Sequence, residues 1–90
     1  MNEQDIYNLA IKKWGINSQI DMCIEECAEL IVVLAKLGRK KNGISDLKEV
    51  VGELADVDIC ISQMILIFGD VEFRRIRYEK LKKLEQLVAE

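Results

Sequence analysis

Two segments of this sequence are apolar around most of a helical circumference, and this feature limits the folds that the chain can adopt. Along residues 46–68, at about 100° per residue, Leu54, Val57 and Ile61 share one face, while Ile59 and Leu66 cover much of the opposite one. Residues 18–40 have the same apolar character. A helix that is apolar on both sides is buried on both sides. We therefore expect these two segments to form the centre of an all-α fold.

Glycines and capping residues divide the chain into four predicted helices. Gly15 ends the first helix and Gly69 the third, because glycine readily adopts the conformation at which helices stop. The polar segment RKKNG, residues 39–43, ends the second helix as a short turn. The caps that we predict for the later helices are Asn17 or Ser18, Asp46 in a capping box with Glu49, and Asp70. The predicted helices cover residues 3–14, 18–40, 46–68 and 70 to near the C-terminus.

The composition predicts one soluble domain, residues 1–90, that associates with copies of itself. Half of the residues are apolar, 32% are charged and none is proline, which is typical of a helical protein. A chain of this length buries only about 60–65% of the surface that its unfolded form exposes. Two thin flanking helices cannot cover two helices that are apolar on both sides. We therefore expect a homo-oligomer, a dimer or a tetramer, most simply a dimer built through the second and third helices.

The charge pattern argues against nucleic acid and membrane partners. The formal net charge is −3, and the basic residues are divided between residues 39–41 and the last helix. No face therefore carries the positive excess that nucleic-acid binding requires. The first residues, MNEQD, are acidic, and no apolar run reaches membrane-spanning length. We expect a cytoplasmic protein.

The chain contains three cysteines and no histidine, which restricts the chemistry it can perform. Cys23, Cys27 and Cys60 lie in helical patterns without CxxC spacing, and we interpret them as buried free thiols. The absence of histidine excludes Ser/His and Cys/His nucleophiles and the Glu-x-x-His di-iron site. Carboxylates, lysines and metal ions remain for any reaction.

Each of the two apolar helices carries a pair of acidic residues three positions apart. Glu26 and Glu29 lie about 60° apart on the second helix, and Glu53 and Asp56 repeat this spacing on the third. One such pair would mean little in an acidic chain. Both pairs, however, lie in the middle of apolar helices. The short connection at residues 39–43 predicts an antiparallel hairpin that places the pairs opposite each other.

Four carboxylates that face one another repel, so this arrangement requires a cation or protonation. Oxygen ligands alone favour a hard ion, and Mg²⁺, or Mn²⁺ in its place, leaves positions for water and for substrate phosphates. The spacing therefore predicts a metal site, for which solvated helix acids are the alternative interpretation.

The arrangement Glu26-x-x-Glu29 followed by Glu53-x-x-Asp56, within the words EECAEL and GELADV, resembles the MazG-like, all-α nucleoside triphosphate pyrophosphohydrolases. The resemblance covers about residues 14–83. It implies a four-helix MazG-like bundle with a central hairpin that binds Mg²⁺. It also implies hydrolysis of a (deoxy)nucleoside triphosphate between its α- and β-phosphates, which releases the monophosphate and pyrophosphate. Such an enzyme would serve in house-cleaning of the nucleotide pool.

The resemblance also implies roles for particular residues. Glu26, Glu29, Glu53 and Asp56 would be the metal ligands. Glu25 lies one ridge from Glu29 and is a candidate general base or water-positioning residue, with an exposed ion pair to a lysine as the alternative.

Four further residues are candidates for substrate binding. Lys80 lies in the apolar stripe of the fourth helix, where an unpaired ammonium group is costly, so we expect it to reach the acids or a phosphate. Lys83 flanks it, and surface solvation is its alternative. Gln19 points along the acidic stripe, and a base could stack on Trp14, which alternatively serves as a core or interface residue.

Two other classes of function compete with hydrolysis. A helical dimer whose acids bind Mg²⁺ or a basic partner without turnover would be an interaction module. A carboxylate-bridged redox di-metal site is a third interpretation, which the missing histidine disfavours. The sequence leaves open the base and sugar of the substrate, the number of metal ions, and a bacterial or phage origin.

Overall fold

The computed structural model describes residues 1–39 and 44–90, and for residues 38, 39 and 44–46 it describes the backbone alone. The described residues form four α-helices and no strand: α1 (Glu3–Trp14), α2 (Ile16–Arg39), α3 (Ile44–Phe68) and α4 (Asp70–Val88). The all-α prediction is confirmed. Residues 40–43 of the predicted turn at residues 39–43 lie outside the described residues. The predicted cap of α3 at Asp46 is wrong, because the helix already begins at Ile44. Among the described helices, none combines the length and apolarity needed to span a membrane.

A single glycine joins α1 to α2. Gly15 has φ 88° and ψ 157°, a conformation that is essentially restricted to glycine. Its N–H donates to the carbonyl of Ile11 at 2.7 Å, and its carbonyl accepts from the N–H of Gln19 at 3.2 Å. The predicted cap of α2 at Asn17 or Ser18 is therefore wrong, because the helix already begins at Ile16.

The junction between α3 and α4 repeats this design. Gly69 has φ 123°, donates its N–H to the carbonyl of Ile65 at 2.9 Å and accepts from the N–H of Phe73 at 3.2 Å. Gly69 itself is the N-cap residue, so the predicted cap at Asp70 is wrong. Asp70 instead lies in the first turn, where its carboxylate accepts a hydrogen bond from Arg74 at 3.2 Å.

The α2–α3 pair supplies most of the contacts between helices. Cys23 of α2 lies near Cys60 of α3, and Glu29 lies near Glu53, so the two helices run in opposite directions as predicted. The buried residues of the hairpin are Gln19, Cys23 and Val33 of α2, and Val50, Cys60 and Gln63 of α3.

The helix α4 lies outside this hairpin. Every residue of α4 is exposed, including Phe73 at 37% and Leu84 at 54%, and the helix makes few contacts with α3. The prediction of a buried stripe that contains Lys80 is therefore wrong for the single chain. The sequence period predicts an apolar face for the helix, but the described residues of this chain do not cover it.

The chain is more extended than a compact domain of its size. The radius of gyration is 16.1 Å, against about 12 Å for a compact domain of this length. The accessible surface is 7307 Å², against about 5,400 Å² for a folded monomer of this mass. The excess surface is largely apolar side chains on the outer faces of the helices.

Candidate metal-binding site

Three carboxylates from the two central helices converge on one point. Glu26 of α2 and Glu53 and Asp56 of α3 each offer one oxygen atom, and these three atoms lie within 4.8 Å of one another. Glu53 and Asp56 are three residues apart, so both project from the face of α3 that meets α2. The hairpin therefore brings together three of the four predicted metal ligands.

Two of these carboxylates bury an oxygen atom without a partner. Oε2 of Glu26 and Oε2 of Glu53 are inaccessible to solvent, and neither has a hydrogen-bond partner among the described residues. Buried polar atoms in folded proteins are nearly always paired, so each unpaired atom requires an explanation. A proton or a bound cation would satisfy these oxygen atoms, and a cluster of acids favours both.

The pKa shifts of Glu26 and Glu53 also indicate that the charged forms of these acids are disfavoured. Burial raises the pKa of Glu26 above its ordinary value of 4.5, and the charges of Glu29, Asp56, Glu53 and Glu25 raise it further. Burial is also the first cause of the raised pKa of Glu53, followed by the charges of Glu29 and Asp56. In the described part of the chain, the charges that act on Glu26 and Glu53 are all those of other acidic residues.

The fourth predicted ligand, Glu29, lies beside the cluster rather than within it. Glu29 is exposed, but among the neighbouring charges its carboxylate contributes most to the raised pKa of both Glu26 and Glu53. Together with Glu53 and Glu49 it lines a cavity of about 260 Å³ whose other walls are apolar.

A second cavity of about 180 Å³ opens on the other side of the acids. It is lined by Glu26 and Asp56 together with Gln19 and Gln63, which are both buried polar residues. Gln19 therefore lies beside the acidic residues, where the sequence pattern predicts it. The amide groups of Gln19 and Gln63 thus share a cavity with two carboxylates, and a polar ligand could hydrogen-bond to both kinds of group.

The described linings of the two carboxylate cavities do not include the remaining predicted site residues. Glu25 is exposed on α2 next to Glu26. Trp14 is 58% exposed at the end of α1, with the Lys13 Nζ atom 5.3 Å from its ring centre. Lys80 lines a groove of about 370 Å³ on α4, and none of the described residues of this groove lines either carboxylate cavity. Lys83 is exposed on the same helix.

Sequence reasoning missed Gln63. This residue is 5% exposed, lines the cavity of Glu26, and donates from Nε2 to the carbonyl of Tyr7 at 3.5 Å. A polar residue in the middle of an apolar helix was the available signal, because such a residue is buried only with a partner. The partner lies on α1, and no local pattern in the sequence identifies it.

The cysteines are free thiols, as predicted. Cys23 and Cys60 are buried and Cys27 is half-buried. Burial raises the pKa of Cys60 to about 12, with further contributions from the neighbouring cysteines. That all three meet at one point was not predicted, because the register of the hairpin decides it.

The fold and the site together define a small helical chain with a partly buried carboxylate cluster between two antiparallel helices. Comparisons with protein-family models, with curated protein sequences and with solved structures find no match to this chain.

Proposed function

We propose that the chain is a Mg²⁺-dependent nucleoside triphosphate pyrophosphohydrolase. In this proposal the bond between the α- and β-phosphates breaks, water supplies the new oxygen atom, and the products are a nucleoside monophosphate and pyrophosphate. The proposal combines the MazG-like sequence pattern with the geometry of the acids. Mn²⁺ is an alternative ion, since it accepts the same oxygen ligands.

One observation carries the proposal more than any other. Glu26 and Glu53 each have a buried oxygen atom that is unpaired among the described residues, and each carboxylate offers an oxygen atom within 4.8 Å of one of Asp56. An all-oxygen donor set of this kind fits a hard divalent cation. When bound, the cation would neutralise charge on the phosphates and on the leaving pyrophosphate.

The proposed roles of the other residues follow from their positions. Glu25 is solvent-accessible next to Glu26, so its carboxylate can orient a water molecule and accept its proton. Gln19 lies in the cavity of Glu26 and can hydrogen-bond the substrate. Lys80 and Lys83 form no ion pair within the described part of the chain, so both amines are available for phosphates. Trp14 is exposed and can stack on a base.

We also propose that the working form is a homo-oligomer, a dimer or a tetramer. The exposed apolar side chains and the excess accessible surface support this proposal. A second copy would cover the apolar faces that the single chain leaves in water, which makes association favourable.

A substrate panel tests the activity. The purified protein is incubated with each ribo- and deoxyribonucleoside triphosphate, with and without Mg²⁺, and the products are resolved. We expect metal-dependent release of monophosphate and pyrophosphate from at least one nucleotide. Diphosphate with inorganic phosphate as the products would contradict the proposed site of cleavage.

A matched pair of variants connects this activity to the site. Asp56→Asn removes one charge from the acid cluster, and Asp58→Asn removes one charge from the same helix outside it. We expect the first variant to lose turnover by about a hundredfold or more, as for removal of an electrostatic group at a reacting centre. The second variant should retain the wild-type rate. Equal rates in the two variants would exclude Asp56 from the site.

The alternative function is a metal-binding interaction module without turnover. The fully exposed apolar face of α4 favours it, because such a face is a common docking surface for another helix. Stabilisation by Mg²⁺ without cleavage of any nucleotide in the panel would select this alternative.

A further inference from the structure

All three cysteines of the chain meet at one point between the two central helices. Cys23 and Cys27 lie one turn apart on α2, and Cys60 comes from α3, 33 residues further along the sequence. Their three Sγ atoms lie within 4.8 Å of one another. Two helices that are packed in a fixed register therefore present three thiols to a single centre.

The thiol cluster (Cys23, Cys27 and Cys60) is accessible through an apolar groove. A groove of about 490 Å³ is lined by Cys23 and Cys27 together with apolar side chains that include Ile24, Ile31 and Met64. On the opposite side, Cys60 shares a cavity with Glu26 and Asp56. The thiol cluster therefore borders an apolar groove and a cavity that contains two carboxylates.

The arrangement suits a centre with three sulfur ligands. Bonds of about 2.3 Å between a thiophilic atom and its sulfur ligands place the sulfur atoms about 4 Å apart, so the observed spacing needs only a small contraction. The chain contains no histidine that could supply a fourth, nitrogen ligand. Carboxylate oxygen is a poor match for a thiophilic ion.

The charge of the complex distinguishes between thiophilic species. A monovalent or divalent metal ion on three thiolates leaves a net negative charge, which would add to the charges of Glu26 and Asp56 in the adjoining cavity. A trivalent centre on three thiolates is neutral. Burying a neutral complex in apolar surroundings avoids the cost of burying a charge.

We propose that Cys23, Cys27 and Cys60 form a three-thiol binding site for trivalent arsenic, taken up as neutral arsenous acid. Three S–As bonds form and three As–O bonds break. Each thiol proton leaves with a hydroxide as water, so one arsenous acid and three thiols give one neutral tris-thiolate adduct and three water molecules. No atom changes its oxidation state. The adduct links α2 to α3 beside the acid cluster.

Titration of the reduced full-length protein with arsenite tests the proposal. Free thiols are counted with a thiol reagent, and native mass spectrometry determines the adduct. We expect one arsenic per chain, the loss of three hydrogens and the disappearance of all three thiols. A product that consumes two thiols or one, or saturation without any loss of thiol, would overturn the three-thiol site.

Two variants separate thiol chemistry from groove packing. Cys27→Ser removes a half-buried thiol, and we expect it to weaken arsenite binding by about a hundredfold or more, because one of three tethered ligands is lost. Met64→Leu keeps the volume of the groove and all three thiols, so it should bind as the wild type does. Circular dichroism establishes that both variants are folded, and Cys23→Ser replaces Cys27→Ser if that variant is not.

Competition with other thiophilic ions tests the charge argument. The proposal predicts that Cd²⁺ and Zn²⁺ displace arsenic poorly from the wild-type protein. If either ion binds the three thiols while arsenite consumes none, the charge argument fails and the site is not one for trivalent arsenic. Because none of these measurements involves nucleotide hydrolysis, their outcome is independent of the proposed enzyme activity.

Discussion

Glu26 and Glu53 each bury one carboxylate oxygen beside other acids, and this pair of residues sets the chemistry of the site. A folded chain retains such an arrangement only if another interaction compensates for the repulsion. Burial and the neighbouring charges raise the pKa of both carboxyl groups, so the metal-free folded chain holds their protons to a higher pH than an ordinary glutamate does. The metal-bound protein would compensate with a cation. Two predictions at this scale follow from that competition.

Mg²⁺ should stabilise the wild-type protein and should not stabilise Glu53→Gln. At about 100 times its dissociation constant, a ligand of the folded state adds about 2.7 kcal/mol of stability, which for a domain of this size raises Tm by about 10 °C or more. The variant removes a ligand charge at nearly constant volume, so its fold should persist without the metal response. Thermal unfolding with millimolar Mg²⁺ measures both. Glu85→Gln, on the exposed surface of α4, is the control.

The stability of the metal-free protein should fall as the pH rises from about 4.5 toward neutrality. Glu26 and Glu53 have raised pKa values in the folded state, so the folded state binds protons that the unfolded chain releases. Their contribution to stability is greatest below the ordinary value of 4.5 and is lost as the pH passes the raised values. Unfolding in the presence of a chelator, over a series of pH values, measures this slope.

The variant Glu53→Gln isolates this effect from the titration of the other carboxylates. It removes one of the two raised groups, and it lowers the raised pKa of Glu26 by removing a neighbouring charge. Its stability should therefore depend less on pH over the same window. An identical pH dependence in the wild type and the variant would show that these acids do not bind protons on folding.

At the scale of the helix, a single residue separates α1 from α2 and α3 from α4. Gly15 and Gly69 each end one helix and begin the next through their own N–H and carbonyl groups. The direction of α1 relative to α2 is therefore determined by the φ and ψ of one residue. Nothing lies within 4 Å of the position of a Cβ atom added to Gly15, so steric crowding does not require glycine there. The backbone conformation of this residue does.

Gly15→Ala and Gly52→Ala should have opposite effects on stability. At Gly15 an L side chain is forced into a conformation that costs on the order of 1–3 kcal/mol, so the free energy of unfolding should decrease. Gly52 lies within α3 with open space around it, and alanine there should add about 0.5–1 kcal/mol. Chemical denaturation of both variants measures the difference. A stabilised Gly15→Ala would contradict the backbone geometry at this junction.

At the scale of the whole molecule, the dominant feature is apolar surface that the single chain does not cover. The apolar stripe of α4 faces water along its length, while the charged side of the same helix is held by its own ion pairs. Arg75 pairs with both Glu72 and Glu79 on the same helix. Such pairs contribute little stability, so they do not replace a partner surface.

A charge placed on the apolar stripe of α4 should dissociate the proposed oligomer. Leu84→Glu introduces a carboxylate among the side chains that a second copy would cover, and burying that charge without a partner is costly. Gln86→Glu adds the same charge on a different face of the helix and is the control. Light scattering coupled to size exclusion measures the mass. We expect a lower mass for the first variant and an unchanged mass for the second.

The sequence predicts the ends of helices well, their first residues poorly, and the meeting of distant residues in part. The ends of α1 and α3 follow from Gly15 and Gly69, because glycine acts on its own neighbours. The convergence of Glu26 with Glu53 and Asp56 follows from two matched spacings and a hairpin.

Other features depend on information that is not local. The meeting of Cys23, Cys27 and Cys60 depends on the axial register of α2 against α3, which residue spacing alone does not specify. The position of α4 does not follow from its sequence pattern, because helical periodicity gives the apolar face of a helix and not the surface it contacts. The role of Gln63 depends on its bond to α1.

The bond from Gln63 to the carbonyl of Tyr7 has a consequence for the order of folding. It spans 56 residues, whereas the α2–α3 hairpin closes through a short connection. Closing this long loop costs conformational entropy, and the hydrogen bond can offset that cost only after Gln63 is positioned. The hairpin should therefore form first and α1 should dock last. The amide protons of α1 should then exchange with solvent by detachment of that helix alone, at a lower opening free energy than those of α2 and α3.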